Sequence, residues 1–533
     1  MGLFKKTSPR RSQVRRHMIA ERSRKTLLPS DADLMISLML WLLFVALSAA
    51  ILSVDLIQRS AYQAVLAYLA LAALLCIGAA LYVGHFQPRV LRNHARAAGL
   101  VGLFLALLAT AKVGALSSEA AVWGPPWGTG TAVLAGIVLV IAYDQRFAVG
   151  AGTLFCAFAA LAVGPRPDQS LQLQGLGLFL TMVAGALTCC FSLREIRTRM
   201  KLLEVSVLAA GVVFVTALSV AHLNFLGEPP DLMYVAKSAA YHATAAFLAG
   251  LLIQSLLPLI ERVFRIATSM TLLDYSDANQ PLLKKLAMEA PGTFSHSLLI
   301  GSIAEAAAES IGCNGLLCRV GAYYHDIGKI NKPKYFTENE MGSASKHKEL
   351  SPAMSQLIIV GHVKDGVEMA REFGLPSVLR QFVETHHGTT LVEPFYNEAK
   401  KKHEAPAATG EGKKPKVAPP TESEFRYAGP KPRTKEAAIV MLADAVEGAA
   451  RSLSEVTLSK VETVVHNIAM RRLQDGQFDE CDLTLRELSR IEASMSKSLA
   501  AHHHGRIAYP TPVDEPLAAE EATKQKVPRM VET

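Results

Sequence analysis

Charge is scarce in this 533-residue sequence: Asp, Glu, Lys and Arg make up 19% of it, against about 25% in an ordinary soluble protein. Half of the residues are hydrophobic and mean hydropathy is +0.24, which excludes disorder, collagen and coiled coil as overall descriptions. Cysteines are few and unpatterned. Cys76, Cys156, Cys189 and Cys190 lie in apolar segments, where a thiol packs as a small hydrophobe. Cys313 and Cys318 have the wrong spacing for a zinc knuckle and no second pair follows; with Cys481 the count is odd, which argues for reduced thiols. The C-terminal half lacks sustained strand alternation, so it reads as helical. Ionisable residues are rare within the apolar runs, and that argues against a transport pathway. Lys112 is expected to snorkel to the interface, and His222 and His242 to occupy interfacial positions near outer helix ends.

What is present begins with eight apolar runs, near 35–54, 61–84, 99–116, 131–143, 147–164, 174–193, 202–223 and 239–260. Most approach the roughly 20 residues of a spanning helix. Net charge is +8, but residues 1–264 hold 22 basic against 12 acidic side chains and the remainder 33 against 35. The excess base thus belongs to the hydrophobic half, and the partner it indicates is a lipid bilayer rather than a nucleic acid polymer. With the N-terminus inside, the outer gaps carry Arg59, Arg166 and Lys237; the inner gaps carry Arg89, Arg92, Arg96, Arg146, Arg194, Arg197, Arg199 and Lys201. That asymmetry predicts a multi-pass protein of the inner (plasma) membrane with both its N-terminal arm and its C-terminal half in the cytoplasm. Trp123 and Trp127 are expected in a Gly/Pro-rich outer loop.

The predicted organisation is a basic arm over 1–34, a membrane domain over 35–264, an amphipathic connector over 265–295 with Pro291-Gly292 as its turn, a helical domain over 296–505 and a tail over 506–533. Helices are expected from near His296 to Ile311, from Leu316 to Tyr324, and over 351–362, 364–373, 376–386, 434–453 and 455–495. Residues 397–424, rich in Lys, Glu, Ala, Pro and Gly, have almost nothing to bury and are expected to form a flexible insert. The run His502-His503-His504 reads as exposed.

Within the helical domain, His296, His325, Asp326, His362, His386, His387 and Asp444 lie at or near helix ends or on helix faces, as in bundles that build internal metal sites. Imidazole and carboxylate suit zinc, iron and manganese, and one Asp can bridge two ions through its two oxygens.

The dyad His325-Asp326, in RVGAYYHDIGKINKPKYFTEN, resembles the HD-domain phosphohydrolases. The stretches LLDYSDANQPLLKKLAMEAPGTFSHS, GHVKDG, FVETHHGT, FRYAGPKPRTKEAAIVMLADAVEGAARSL and HGRIAYP resemble the cytoplasmic domain of the seven-transmembrane HD family, the PgpH-type cyclic di-AMP phosphodiesterases. The match spans roughly 265–510, and the membrane half fits in kind. The resemblance implies an all-α chain, a polytopic membrane domain followed by a helical HD domain, with two divalent cations, manganese or iron, as cofactors. One ion would be held by His296, His325, Asp326 and Asp444 and the other by Asp326, His362, His386 and His387, with Asp326 bridging. It implies in-line attack of water on phosphorus, Lys329 contacting the phosphate, and a linear 5′-phosphorylated dinucleotide as product. Cyclic di-GMP and (p)ppGpp are the rival substrates; the GYP signature is missing after His386-His387, where Gly388-Thr389-Thr390 follows. A membrane receptor that binds the nucleotide without cleaving it is the reading from another class. A homodimer is compatible with a membrane sensor, but nothing in the sequence demands one. Family members carry a large extracytoplasmic domain after the first span, whereas here about seven residues near Asp55 to Ala61 separate the first two.

Overall fold

The computed structural model describes residues 31–58, 62–116, 120–164, 171–193, 196, 198–223, 231–340, 346–404, 419–453 and 457–504. Most of the basic arm, the tail and Arg59, Arg166, Arg194 and Arg197 lie outside the described residues, as do the side chains of Arg89, Arg92 and Trp123. Among the described residues the chain is helical, and its one β-bridge pairs Leu391 with Arg426. The fold is all-α, as the sequence predicts.

The N-terminal helices are α1 (Asp31–Gln58), α2 (Tyr62–Phe86), the short α3 (Pro88–Arg92), α4 (His94–Leu116), α5 (Ala120–Ala142), α6 (Gln145–Val163), α7 (Leu171–Ser192), α8 (Arg199–Leu223) and α9 (Leu232–Phe264). Among the described residues eight helices are long and apolar enough to cross a membrane, all of these but α3, which matches the eight apolar runs. The doubtful pair, the fourth and fifth runs, are separate helices for a local reason. Asp144 stands between them and caps α6, its carboxylate accepting from Phe147 N at 2.7 Å.

Three expectations need correction here. Trp127 lies within α5, not in a loop; its indole donates to Thr110 O at 2.9 Å. The helix runs through Pro125 and Pro126, and Thr129 Oγ1 donates back to Pro125 O at 3.3 Å. Second, His242 is buried, and its Nδ1 is 2.7 Å from Thr129 Oγ1, so it joins α9 to α5 inside the bundle. His222 is exposed near the end of α8, as expected.

Third, Lys112 does not snorkel. Its ammonium is buried, 2.6 Å from Asp55 Oδ1 and 3.3 Å from Leu52 O, which ties α4 to the end of α1. Taking one member from a buried pair leaves the other charge uncompensated, so Lys112→Met is expected to destabilise the protein by about 3–5 kcal/mol. Adding Asp55→Asn should recover most of the loss. Thermal unfolding of the two variants in detergent checks this, and equal loss in the single and double variants would show the pair to be unimportant.

Beyond α9 come α10 (Ser269–Ser276), α11 (Pro281–Glu289), α12 (Pro291–Ser310), α13 (Gly315–Tyr324), α14 (Pro352–Glu372), α15 (Ser377–Thr385), α16 (Glu393–Glu404), α17 (Lys435–Ala450), α18 (Leu458–Gln474) and α19 (Leu485–His504). The chain divides into two compact units, residues 1–295 with 323–384 and residues 296–322 with 385–533.

In the first unit, α9 ends at Arg265, whose φ of 54° reverses the chain. The Glu261 carboxylate, still on α9, accepts from Thr268 N at 2.7 Å and Thr271 Oγ1 at 2.8 Å and so caps α10. Pro291-Gly292 is not a turn but the opening of α12: proline suits a first helical position, and Asn339 Oδ1 accepts from Gly292 N at 2.9 Å and Thr293 N at 3.2 Å. Residues 351–362 and 364–373 form one helix, α14, because no breaker separates them; Ser351 caps it.

In the second unit, the expected helix over 455–495 is two helices, α18 and α19, which pack on each other. Gly476, with φ of 67°, ends the first. The lysine-rich segment begins as helix, since α16 runs to Glu404, and a 3₁₀ turn at Glu422–Phe425 resumes it; residues 405–418 lie outside the described residues. Cys318 is buried, and burial holds its thiol well above the usual range, in keeping with a structural role.

Candidate metal centre

In the first unit, α13 gives way at His325 to a 3₁₀ turn, Ile327–Asn331, and Asp326 sits at the change of path. His325, Asp326 and His362 are all nearly without solvent. His325 Nε2 is 3.2 Å from Asp326 Oδ2, and His362 Nε2 is 3.3 Å from Asp326 Oδ1, so two imidazoles address the two oxygens of one carboxylate. His362 Nδ1 is hydrogen-bonded to Ile359 O. With Nδ1 committed to that carbonyl, Nε2 is the nitrogen turned toward the carboxylate, and a backbone partner of this kind fixes the ring of a metal-bound histidine. Ligand atoms held at about 2.0–2.2 Å from one ion lie roughly 3 Å from one another. The spacing and the chemistry of these three donors therefore fit a metal ion.

Gly328 makes this geometry possible. A Cβ there would fall 1.8 Å from His362 O and 2.5 Å from Gly366 N, so the 3₁₀ turn lies backbone to backbone on α14. Lys329, one turn beyond Asp326, places Nζ 2.7 Å from Asp326 Oδ2 and 2.7 Å from Glu338 Oε1, over the Phe336 ring. Burial alone would raise the Asp326 carboxyl, but the His325 and Lys329 charges and hydrogen bonds from His325 and His362 hold it well below the usual carboxylate range. Burial likewise opposes ionisation of Glu338, and the Lys329 charge overrides it.

The second unit carries the other donors. His296, on α12, has Nε2 3.1 Å from Asp444 Oδ1 on α17, and His387 Nδ1 is 3.7 Å from Asp444 Oδ2. His386 and His387 follow α15, their ring centroids 4.1 Å apart, and His387 stacks on Tyr427 at 4.3 Å. Gln477, fully buried, braces the loop after them, accepting from Thr389 N at 2.9 Å. His296, Asp444 and His387 thus lie together in this unit, as do His325, Asp326, His362 and Lys329 in the first.

Sequence reasoning passed over Glu338, Gln477, Glu447 and Arg451. Glu447 follows Asp444 by three residues, a spacing that puts both on one helix face and could have flagged it. Nothing in the sequence points to Gln477, some 88 residues from Thr389.

Residues 62–268 match the family described as 7TM receptor with intracellular HD hydrolase, and residues 293–449 match the HD domain. The first match opens at the second of the eight long helices, so it takes in seven of them. The cyclic-di-AMP phosphodiesterase PgpH of Bacillus subtilis is 44% identical over 266 residues, 50% of this chain and 35% of that protein. Its counterpart from Listeria monocytogenes is 34% identical over 385 residues, 72% of this chain and 50% of the relative. The chain thus spans half or less of the length of these curated relatives. The crystal structure of the L. monocytogenes PgpH HD domain in complex with cyclic-di-AMP aligns at 42% identity with a TM-score of 0.38, covering 43% of this chain and 99% of that one. From the two family matches, lying in order along one chain of the expected helical make-up, the protein belongs to the seven-transmembrane HD family.

Proposed function

We propose that this protein is a membrane-anchored, metal-dependent phosphodiesterase that opens cyclic di-AMP to the linear 5′-phosphorylated dinucleotide in the cytoplasm. The observation that carries the reading is the arrangement of His325 and His362 about the two oxygens of Asp326, in a chain whose curated relatives are named cyclic-di-AMP phosphodiesterases. By the family resemblance we assign His296, His325, Asp326 and Asp444 to one ion and Asp326, His362, His386 and His387 to the other, all imidazole or carboxylate donors. Manganese or iron suits such imidazole and carboxylate sets. Lys201 and the other basic residues assigned to the inner gaps support a cytoplasmic HD domain in the plasma membrane.

Bound there, two divalent cations would supply an activated water and neutralise the phosphate oxygens. The chain's own work is to hold the donors still. Ile359 O fixes the His362 ring, and Lys329 holds the Asp326 carboxylate while adding positive charge to a site that must receive an anion. Water adds to phosphorus, the bond from phosphorus to the ribose 3′-oxygen breaks, and the departing oxygen takes up a proton.

The 533-residue chain in detergent, given cyclic di-AMP, cyclic di-GMP and ppGpp with Mn²⁺ or Fe²⁺, tests this. Cyclic di-AMP is expected to be cleaved preferentially; a chelator should abolish turnover and either metal should restore it. Protein that holds two ions and cleaves none of the three would be a nucleotide receptor rather than an enzyme.

A further inference from the structure

The α17 helix brings two carboxylates to one imidazole. Asp444 faces His296 Nε2, and one turn later Glu447 faces the opposite nitrogen: Glu447 Oε2 is 2.7 Å from His296 Nδ1. The Glu447 side chain is 3% exposed and that of His296 is 6% exposed, so the contact is shielded from water. Arg451, a further turn along, places Nε 2.6 Å from Glu447 Oε1 and Nη2 2.8 Å from His296 Nδ1. His296 Nδ1 therefore has both an acceptor and a donor within reach. The guanidinium can only donate, so of these two groups it is Glu447 that can accept from a ring carrying its proton on Nδ1. That is the ring form that leaves Nε2 with a lone pair.

We propose that Glu447 is a positioning residue for the metal centre: it takes the Nδ1 proton of His296 in a hydrogen bond and so presents Nε2, on the Asp444 side, as a metal ligand, while Arg451 holds the Glu447 carboxylate in place. The inference rests on the metal-centre reading above. It also explains why a glutamate is kept dry at this point of α17. A buried carboxylate is costly unless charge and hydrogen bonds compensate it, and here the compensation comes from Arg451 on its own helix and from the metal ligand itself. Carboxylate partners of this kind orient a ligating histidine and raise its basicity, and their loss typically weakens metal binding by about 10–100-fold.

The test measures metal content and affinity of the 533-residue chain in detergent, by mass spectrometry and by competition with a chromophoric chelator, alongside thermal unfolding of the metal-free protein. Glu447→Gln keeps the shape and removes the charge. It is expected to weaken one of two Mn²⁺ sites about 10–100-fold and leave the other unchanged, so that at limiting metal the chain holds one ion. Glu447→Asp should restore part of the affinity. Arg451→Gln, at a partly exposed position, should weaken the same site by less. Two unaltered sites in Glu447→Gln, with only a lower unfolding temperature, would mean a purely structural role and overturn the proposal. Wild-type protein that binds no metal would overturn the metal-centre reading as well, and so the two failures are distinct.

Discussion

Asp326→Ala is expected to bind neither ion tightly and to lose cyclic di-AMP hydrolysis by about 10³-fold or more. The estimate follows from the several kcal/mol of charge stabilisation that a bound cation supplies at a reacting phosphate, each 1.36 kcal/mol being about tenfold in rate. Asp326 is the only carboxylate in the first unit's donor set, and both its oxygens are engaged, Oδ2 by His325 and Lys329, Oδ1 by His362. Its removal withdraws the one ligand common to both proposed ions and takes from Lys329 one of its two carboxylate contacts. Asp326→Asn separates shape from charge, and should lose nearly as much. Metal content per chain and chromatographic turnover would be read on the same preparation. A variant that kept both ions, or activity within tenfold of the parent, would refute the bridging role.

Gly328→Ala is expected to cost about 10²-fold in turnover although it removes no functional group. The added methyl would fall 1.8 Å from the carbonyl oxygen of His362, a backbone atom that cannot swing aside as a side-chain tip can. The 3₁₀ turn and α14 must part; Asp326 sits at the N-cap of that turn and His362 is carried by α14. A displacement of about 1 Å at reacting groups is enough for a loss of that size. The Gly366 side of the crossing gives an internal control, since a Cβ at Gly366 would meet the Val383 side chain at 2.8 Å and the Gly328 backbone only at 3.2 Å. Gly366→Ala should therefore be the milder change. Equal turnover in Gly328→Ala and the parent would show that the crossing does not set the ligand geometry.

The parts of this protein that were legible in its sequence are those that repeat a simple physical demand. A helix that crosses a bilayer needs an uninterrupted apolar run, and all eight announce themselves. The proposed ligands stand out in the sequence as a set, because seven His and Asp residues in one helical region match the HD pattern. What escaped was pairing between distant positions. Lys112 looked like an interfacial lysine because its partner, Asp55, is 57 residues earlier, on another helix. Trp127 and the two prolines read as a loop from composition alone, whereas the helix continues through Pro125 and Pro126. Pro291-Gly292 carried a turn signal that was a helix start, the difference being made by the Asn339 side chain. Glu447 was passed over for a different reason: its role belongs to the far nitrogen of a histidine whose near nitrogen drew the attention.

The Glu261 clasp sets how this protein could be controlled. A membrane helix that ends in a slack linker dissipates any twist it receives, because the linker's torsions absorb it. Here the last turn of α9 holds the start of α10 through one carboxylate that accepts from two donors, Thr268 N and the Thr271 hydroxyl, with the left-handed Arg265 between them. The two helices meet as a bent crank rather than as beads on a string. Rotation of α9 about its own axis would sweep α10 through an arc instead of being lost as local disorder, so a stimulus felt among the apolar helices has a mechanical path out of the bilayer.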